Sequence, residues 1–127
     1  MNKYISIISL IMFIGGGRLS AQVISMGEYH TGAILADGTV KVWGRNNYGQ
    51  LGQGNTTTLG GGSSEMGDNL SAVSLGSGRT ATAIACGFYH TAVILDNGTV
   101  KVWGYNAYGQ LGQGHTNTRG DNIDEMG

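Results

Sequence analysis

Two histidines recur in the same setting, His30 and His90, each inside Tyr-His-Thr. Paired imidazoles suit a metal site or a proton relay. A polar residue repeated once per unit is instead expected to sit inside its own sheet and to bond a backbone group, because buried polar atoms need partners. Trp43 and Trp103 offer faces on which a sugar or base would stack. A tryptophan that ends an apolar strand is more often core, with its indole N–H bonded. Cys86 is the only thiol, flanked by Ala85 and Gly87. It reads as a small buried hydrophobe rather than a nucleophile. Gly49-Gln50-Leu51-Gly52-Gln53-Gly54 is rich in glycine but lacks the Gly-Lys-Ser/Thr ending of a phosphate loop. Asp121-Asn122-x-Asp124-Glu125 offers oxygen ligands without the spacing or glycine of a calcium loop. No serine–histidine–acid set or carboxylate pair stands out. The expectation is a non-enzymatic protein with no catalytic residue, no metal and no cofactor.

Composition narrows the class of partner. Lys and Arg total 7 and Asp and Glu 8, a net charge of −1. Without a basic stripe, electrostatic capture of nucleic acid or of an anionic membrane is not expected. Glycine takes 24 of the 127 positions and proline none, against about 7% glycine ordinarily. The first residues are of another kind: Lys3, an apolar run from Tyr4 to Ile14, then Gly15 to Ala21. The run is too short to span a bilayer as a helix. Its order of charge, apolar stretch and small exit residue is that of a secretory signal peptide covering residues 1–21, cut after Ala21, with an uncleaved hydrophobic anchor or a buried apolar strand as the alternatives. Leu19 and Arg18 fit that pattern imperfectly. The expected location is outside the cytoplasm, secreted or on the cell surface.

From residue 22 the chain repeats. Residues 24–67 align without a gap on 84–127 at an offset of 60, and 28 of the 44 pairs are identical. The glycines therefore recur at fixed places, which removes a low-complexity reading and points to a repeat architecture. The first copy occupies 24–83, and the second, 84–127, is incomplete. Asp37-Gly38 and Asn97-Gly98 are hairpin-turn dipeptides, expected to form two-residue turns with positive φ at both residues. His30–Ala36 with Thr39–Trp43, and His90–Leu95 with Thr99–Trp103, are the predicted antiparallel pairs. Thr82–Cys86 and Ala72–Leu75 are further strand candidates. Ala92-Val93-Ile94-Leu95 is apolar on both faces, as a strand covered on two sides must be. Tandem four-stranded sheets covered on both faces are the blades of a β-propeller. The fold class is all-β: a partial propeller of about two four-stranded antiparallel blades.

Cys86-Gly87-Phe88-Tyr89-His90-Thr91, Leu95, Gly98, Val100 and Trp103-Gly104-x-Asn106-x-x-Gly109-Gln110-Leu111-Gly112-x-Gly114 resemble the repeat of the regulator of chromosome condensation family. Gly27 to Gly54 carries the same pattern, with Met26 in the place of Cys86. The resemblance implies a seven-bladed propeller of four-stranded blades and gives the histidine a structural place. It also implies that two units need more blades, in the same chain or by self-association, since an open blade face is a large apolar patch. Within the matched loops the copies differ at Arg45/Tyr105, Asn47/Ala107, Asn55/His115, Thr57/Asn117 and Leu59/Arg119. Loops on a rigid scaffold carry recognition, and Arg and Tyr anchor interfaces. Arg45, Asn47, Tyr105, His115 and Arg119 are therefore the candidate contacts for an unidentified protein partner. His30, His90, Trp43, Trp103, Gly38 and Gly98 are the structural residues of the repeat. The expected function is a protein-binding propeller module, part of a longer propeller. The alternatives are a structural or adhesive surface array and, less favoured, the nucleotide-exchange activity that the family implies.

Overall fold

Glycine at the hairpin turns sets the register of both sheets. Gly38 and Gly98 each take φ of 81°, a left-handed conformation that a Cβ would oppose. Their N–H groups bond back to Leu35 and Leu95 at 2.9 Å. Asp37 and Asn97 stay at negative φ and serve differently. Each Oδ1 accepts the N–H and the hydroxyl of the threonine two residues on, the hydroxyl at 2.7 Å in both. The turn is therefore a three-residue loop with a single left-handed glycine, not the expected two-residue turn with positive φ twice. The Asx bond makes the second positive φ unnecessary.

The computed structural model describes residues 11–14 and 17–127, with side chains from Ala21 onward. Its strands are β1 (Ile11–Ile14), β2 (Gly17–Met26), β3 (His30–Leu35), β4 (Val40–Gly44), β5 (Ala81–Cys86), β6 (His90–Leu95) and β7 (Val100–Gly104). One antiparallel sheet runs β1-β2-β3-β4 and a second runs β5-β6-β7. Helix is confined, among the described residues, to one 3-10 turn at Gly67–Asn69. The expected signal segment, 1–21, lies largely outside the described residues.

The two sheets copy each other residue for residue. His30 faces Gly44 and Ile34 faces Val40, while His90 faces Gly104 and Ile94 faces Val100. Both β2 and β5 carry a bulge, between Ala21 and Val23 and between Ala81 and Ala83. The structural repeat thus reaches back to Ala21 and Ala81, three residues before the matched stretch. The strand expected at Ala72–Leu75 is not one. That segment makes a single ladder-like bond, from Val73 N–H to the Val40 carbonyl at 2.8 Å, and buries Val73 and Leu75. The fourth strand of the first sheet is β1, and the second sheet has three.

One face of the first sheet packs on the opposite face of the second. Ile34, Val40 and Val42 meet Val93, Leu95 and Trp103 in the main core. Gly32 lets the second sheet close in, since a Cβ there would fall 2.6 Å from Ile84 Cδ1. The second sheet's own outer face is uncovered. Ile34 and Val40 are 4% and 0% exposed, whereas their counterparts Ile94 and Val100 are 43% and 64% exposed. The expectation that Ala92–Leu95 is covered on both faces holds for its counterpart in β3 but not for β6, because the sheet that would cover Ile94 is missing from this pair.

The same substitution should therefore have opposite consequences in the two units. Gly32→Leu is expected to lower stability by about 1–3 kcal/mol through overpacking, while Ala92→Leu on the open face leaves it nearly unchanged. Urea unfolding of both variants in dilute solution measures the difference.

Candidate protein-interaction surface

The seam between the sheets is a relay of hydrogen bonds centred on one carbonyl. The Gln50 carbonyl accepts the Thr91 hydroxyl at 2.8 Å and the Trp103 indole N–H at 3.0 Å. His30 Nε2 lies 2.9 Å from Thr91 Oγ1. The threonine proton is committed to Gln50, so the imidazole must donate from Nε2, which leaves Nδ1 bare. Nδ1 is buried without a partner among the described residues. Burial pushes the His30 pKa below its ordinary value, against a smaller upward pull from the His90 backbone. His30 and Trp103 are thus buried groups of the seam, and His30 differs from the sequence expectation: its ring bonds a side chain of the next sheet rather than a backbone group of its own, because the second sheet packs directly on its face. Trp43 is half-buried against Met66 and Leu70. Cys86 also lies at the seam, its N–H bonded to Ser25 Oγ at 2.9 Å, and burial raises its thiol pKa.

Gln50 is held in place by its own loop. Asn46, fully buried, accepts the Leu51 N–H at 2.9 Å and donates to the Asn55 carbonyl at 2.8 Å. Asn106 does the same for Leu111, His115 and Asn117. The glycine-rich loop is therefore a clamp on the seam and not an anion cradle. The acidic stretch resolves in the same way. Glu125 Oε2 accepts the N–H groups of Gly120 and Asn122, as Glu65 Oε2 accepts those of Gly60 and Gly62. Those donors hold the Glu65 carboxyl below its usual range, Gly62 contributing most.

At one end of the strands, aromatic rings gather across the seam. Tyr29 and its counterpart Tyr89 stack with centroids 5.9 Å apart and planes 12° from parallel. Phe88 meets both rings. Tyr48 bridges Tyr89 and Tyr105 at 5.0 and 4.7 Å, and Tyr108 continues the row at 6.0 Å from Tyr105. The Arg45 guanidinium lies 5.3 Å from the Tyr29 centroid and 5.7 Å from that of Tyr89, within cation–π range. Backbone bonds fix the row: Arg45 N–H to the Tyr29 carbonyl and Tyr105 N–H to the Tyr89 carbonyl, at 2.8 and 2.9 Å. Tyr29, Phe88 and Tyr108 remain exposed. Packing against its neighbours raises the Tyr105 pKa, with Tyr108 and Tyr48 adding to the effect.

Of the five candidate contacts, the structure brings Arg45 and Tyr105 into this row, joined through Tyr89. Asn47 is exposed on the loop between Arg45 and Tyr48. His115 and Arg119 are elsewhere. The Arg119 guanidinium is held by Gln113, Glu125 and His115, and its backbone pairs with Gly104. Sequence reasoning missed Tyr29, Tyr48, Phe88, Tyr89 and Tyr108 as site residues. The available signal was the recurrence of a tyrosine before each repeated histidine and again before each Gly-Gln-Leu-Gly.

Models of the regulator of chromosome condensation (RCC1) repeat match residues 22–50 and 81–110, and a second such model matches 37–94. The chain belongs to the RCC1-repeat family. It is 33% identical over 95 residues to the ultraviolet-B receptor UVR8 of Arabidopsis thaliana, covering 73% of this chain and 19% of that protein. To the protein RCC2 homolog of Danio rerio it is 41% identical over 89 residues, 68% of this chain and 16% of the relative. The chain thus spans about a fifth or less of the length of these curated relatives. Among solved structures, human WBSCR16 superposes with a TM-score of 0.65 at 22% identity, covering 86% of this chain and 27% of that one. Prp20p of Saccharomyces cerevisiae superposes with a TM-score of 0.58 at 20% identity, covering 80% and 25%. At such identities the likeness is one of fold, and the fold is the β-propeller.

The bare Nδ1 of His30 makes the seam sensitive to acid. A group whose folded pKa lies below its unfolded value costs stability as pH falls from the unfolded pKa, about 6.5 for histidine, through the folded one. The urea midpoint is expected to drop over that window, and His30→Gln should remove part of the slope.

Proposed function

We propose that this RCC1-repeat chain is a non-enzymatic protein-binding unit whose contact surface is the Arg45–tyrosine row. The observation that carries this reading is the row itself: residue types that dominate interface energetics, partly exposed and locked to strand ends by backbone bonds. Tyrosine supplies contact area at low entropic cost, and a pre-fixed ring loses little freedom on binding. The yeast relative Prp20p was characterised with its binding to Gsp1p and histones, which supports protein binding as a use of this architecture. The charge and apolar order of residues 1–21 support a location outside the cytoplasm. The open face of the second sheet supports the need for further sheets, from the same chain or another.

Affinity capture with the immobilised chain, followed by mass spectrometry, tests the surface. Arg45→Ala with Tyr105→Ala is expected to lose a protein captured by the wild type, while His115→Ala with Arg119→Ala retains it. Equal capture by both double variants would remove the row as the contact. For the location, a new N-terminus at Gln22 in protein recovered from the medium is the expected result, and full-length protein retained in cells is the opposing one.

A further inference from the structure

We infer that the Asn97-Gly98 turn is a site of covalent modification: Asn97 loses its side-chain amide to water through a cyclic imide, and the second hairpin thereby acquires the Asp-Gly turn of the first. This is independent of the tyrosine row, which lies at the other end of the strands, and of whatever lies beyond the second sheet.

The reacting atoms are set by the sequence. The main-chain nitrogen of Gly98 is the nucleophile and Cγ of Asn97 its target, and joining them closes a five-membered ring. Glycine hinders that approach least, having no Cβ, and Asn97 is the only asparagine of the chain that precedes one. The fold then adds two conditions. Asn97 and Gly98 are exposed. Asp37 is exposed as well, although the second sheet packs so closely on its hairpin that a Cβ on Gly38 would fall 2.5 Å from Thr80 Cβ. Water therefore reaches this position even in the covered unit. Secondly, Asn97 Oδ1 accepts the Thr99 N–H at 3.1 Å and the Thr99 hydroxyl at 2.7 Å. As the nitrogen adds to Cγ, negative charge develops on that oxygen, where the two donors already stand. The same bonds commit Oδ1 and leave Nδ2, the leaving group, without a bond to the chain among the described residues.

The step balances with water as the one co-reactant. The N–Cγ bond forms as the Gly98 nitrogen gives up its proton, the Cγ–Nδ2 bond breaks, and Nδ2 takes a proton through solvent and departs as ammonia. Water then opens the imide. Attack at Cγ gives aspartate on an unchanged main chain; attack at the main-chain carbonyl gives isoaspartate, with one more carbon in the chain path. The Gly98 N–H is bonded to the Leu95 carbonyl at 2.9 Å, and that bond must open first, so the folded hairpin reacts more slowly than the unfolded chain.

Asp37 shows what the aspartate product becomes. Its Oδ1 accepts the Thr39 N–H at 3.0 Å and hydroxyl at 2.7 Å, and those donors, the hydroxyl foremost, hold its carboxyl below the usual range. The second turn keeps its bonds after the same change and gains a negative charge. Isoaspartate lengthens the main chain inside the turn and disturbs the register of β6 on β7.

Incubating the folded 127-residue chain at mildly alkaline pH in heavy-oxygen water, followed by trypsin and mass spectrometry, tests this. The tryptic peptide 80–101 holds Asn97 as its only carboxamide. It is expected to show amide-to-acid conversion with uptake of one heavy oxygen, faster than at Asn117, which is equally exposed but precedes a threonine. Aspartate and isoaspartate should both appear. Thr99→Val, which removes one of the two donors, should slow the conversion severalfold. Asn97→Asp should leave the urea midpoint unchanged, whereas the isoaspartyl fraction of the aged wild type should unfold at lower urea. Conversion at Asn97 no faster than at Asn117, or only in urea, overturns the inference. So does aspartate without isoaspartate, which marks direct hydrolysis, or an Asn97→Asp chain that unfolds at clearly lower urea. Faster conversion in a folded Thr99→Val chain would overturn the part given to the threonine donors.

Discussion

The carbonyl of Gln50 is the point on which the arrangement of the two sheets depends. It takes two donors from the neighbouring unit, a hydroxyl and an indole, in a seam where water has been displaced by Leu51, Val42 and Trp103. In such surroundings an unmet polar group is costly and a fully met one is specific. The bonds therefore fix how one sheet sits on the next, while apolar burial supplies most of the driving force. Asn46 is the reason the carbonyl points the right way, because it replaces the secondary structure that a glycine-rich loop lacks. Nothing in this loop requires a ligand for its order.

The strands were legible because the turns announce them. Alternation is weak in these apolar runs, yet Asp37-Gly38 and Asn97-Gly98 place the hairpins to within a residue, and β6 falls on His90–Leu95 as expected. Two features were not legible for physical reasons. Ala72–Leu75 has strand-like composition, but its backbone bonds the first sheet only through Val73; burial of Val73 and Leu75 satisfies the same apolar pattern without a ladder. β2 begins at Gly17, inside a stretch whose charge and apolar order read as an export signal. Composition does not distinguish an apolar strand from an apolar leader of similar length.

The aromatic row was half legible. Variation between the copies marked Arg45 and Tyr105, since a loop that differs on a fixed scaffold differs at its exposed side chains. It also marked His115 and Arg119, which meet each other, Arg119 being held besides by Gln113 and Glu125. Variation alone cannot separate a side chain offered to a partner from one used to staple its own loop. The stacked tyrosines were hidden by the opposite property: they repeat, and in the sequence repetition reads as a mark of the core. Tyr29 and Tyr89 repeat because the strand end repeats, and they meet because the sheets stack at a constant offset.

The bonds of the seam always join one unit to the next, never within a unit: His30 to Thr91, Thr91 to Gln50, Trp103 to Gln50. That has a genetic consequence. Unequal crossing-over between the codons for Gly38 and Gly98 adds or removes sixty residues, and every surviving junction keeps a histidine, a threonine, a tryptophan and a Gln carbonyl at the matching positions. An insertion of any other length strands an indole in oil. Such a gene can gain or lose units in single recombination events and still encode a foldable product, so unit number evolves faster than the junction chemistry that unit number depends on.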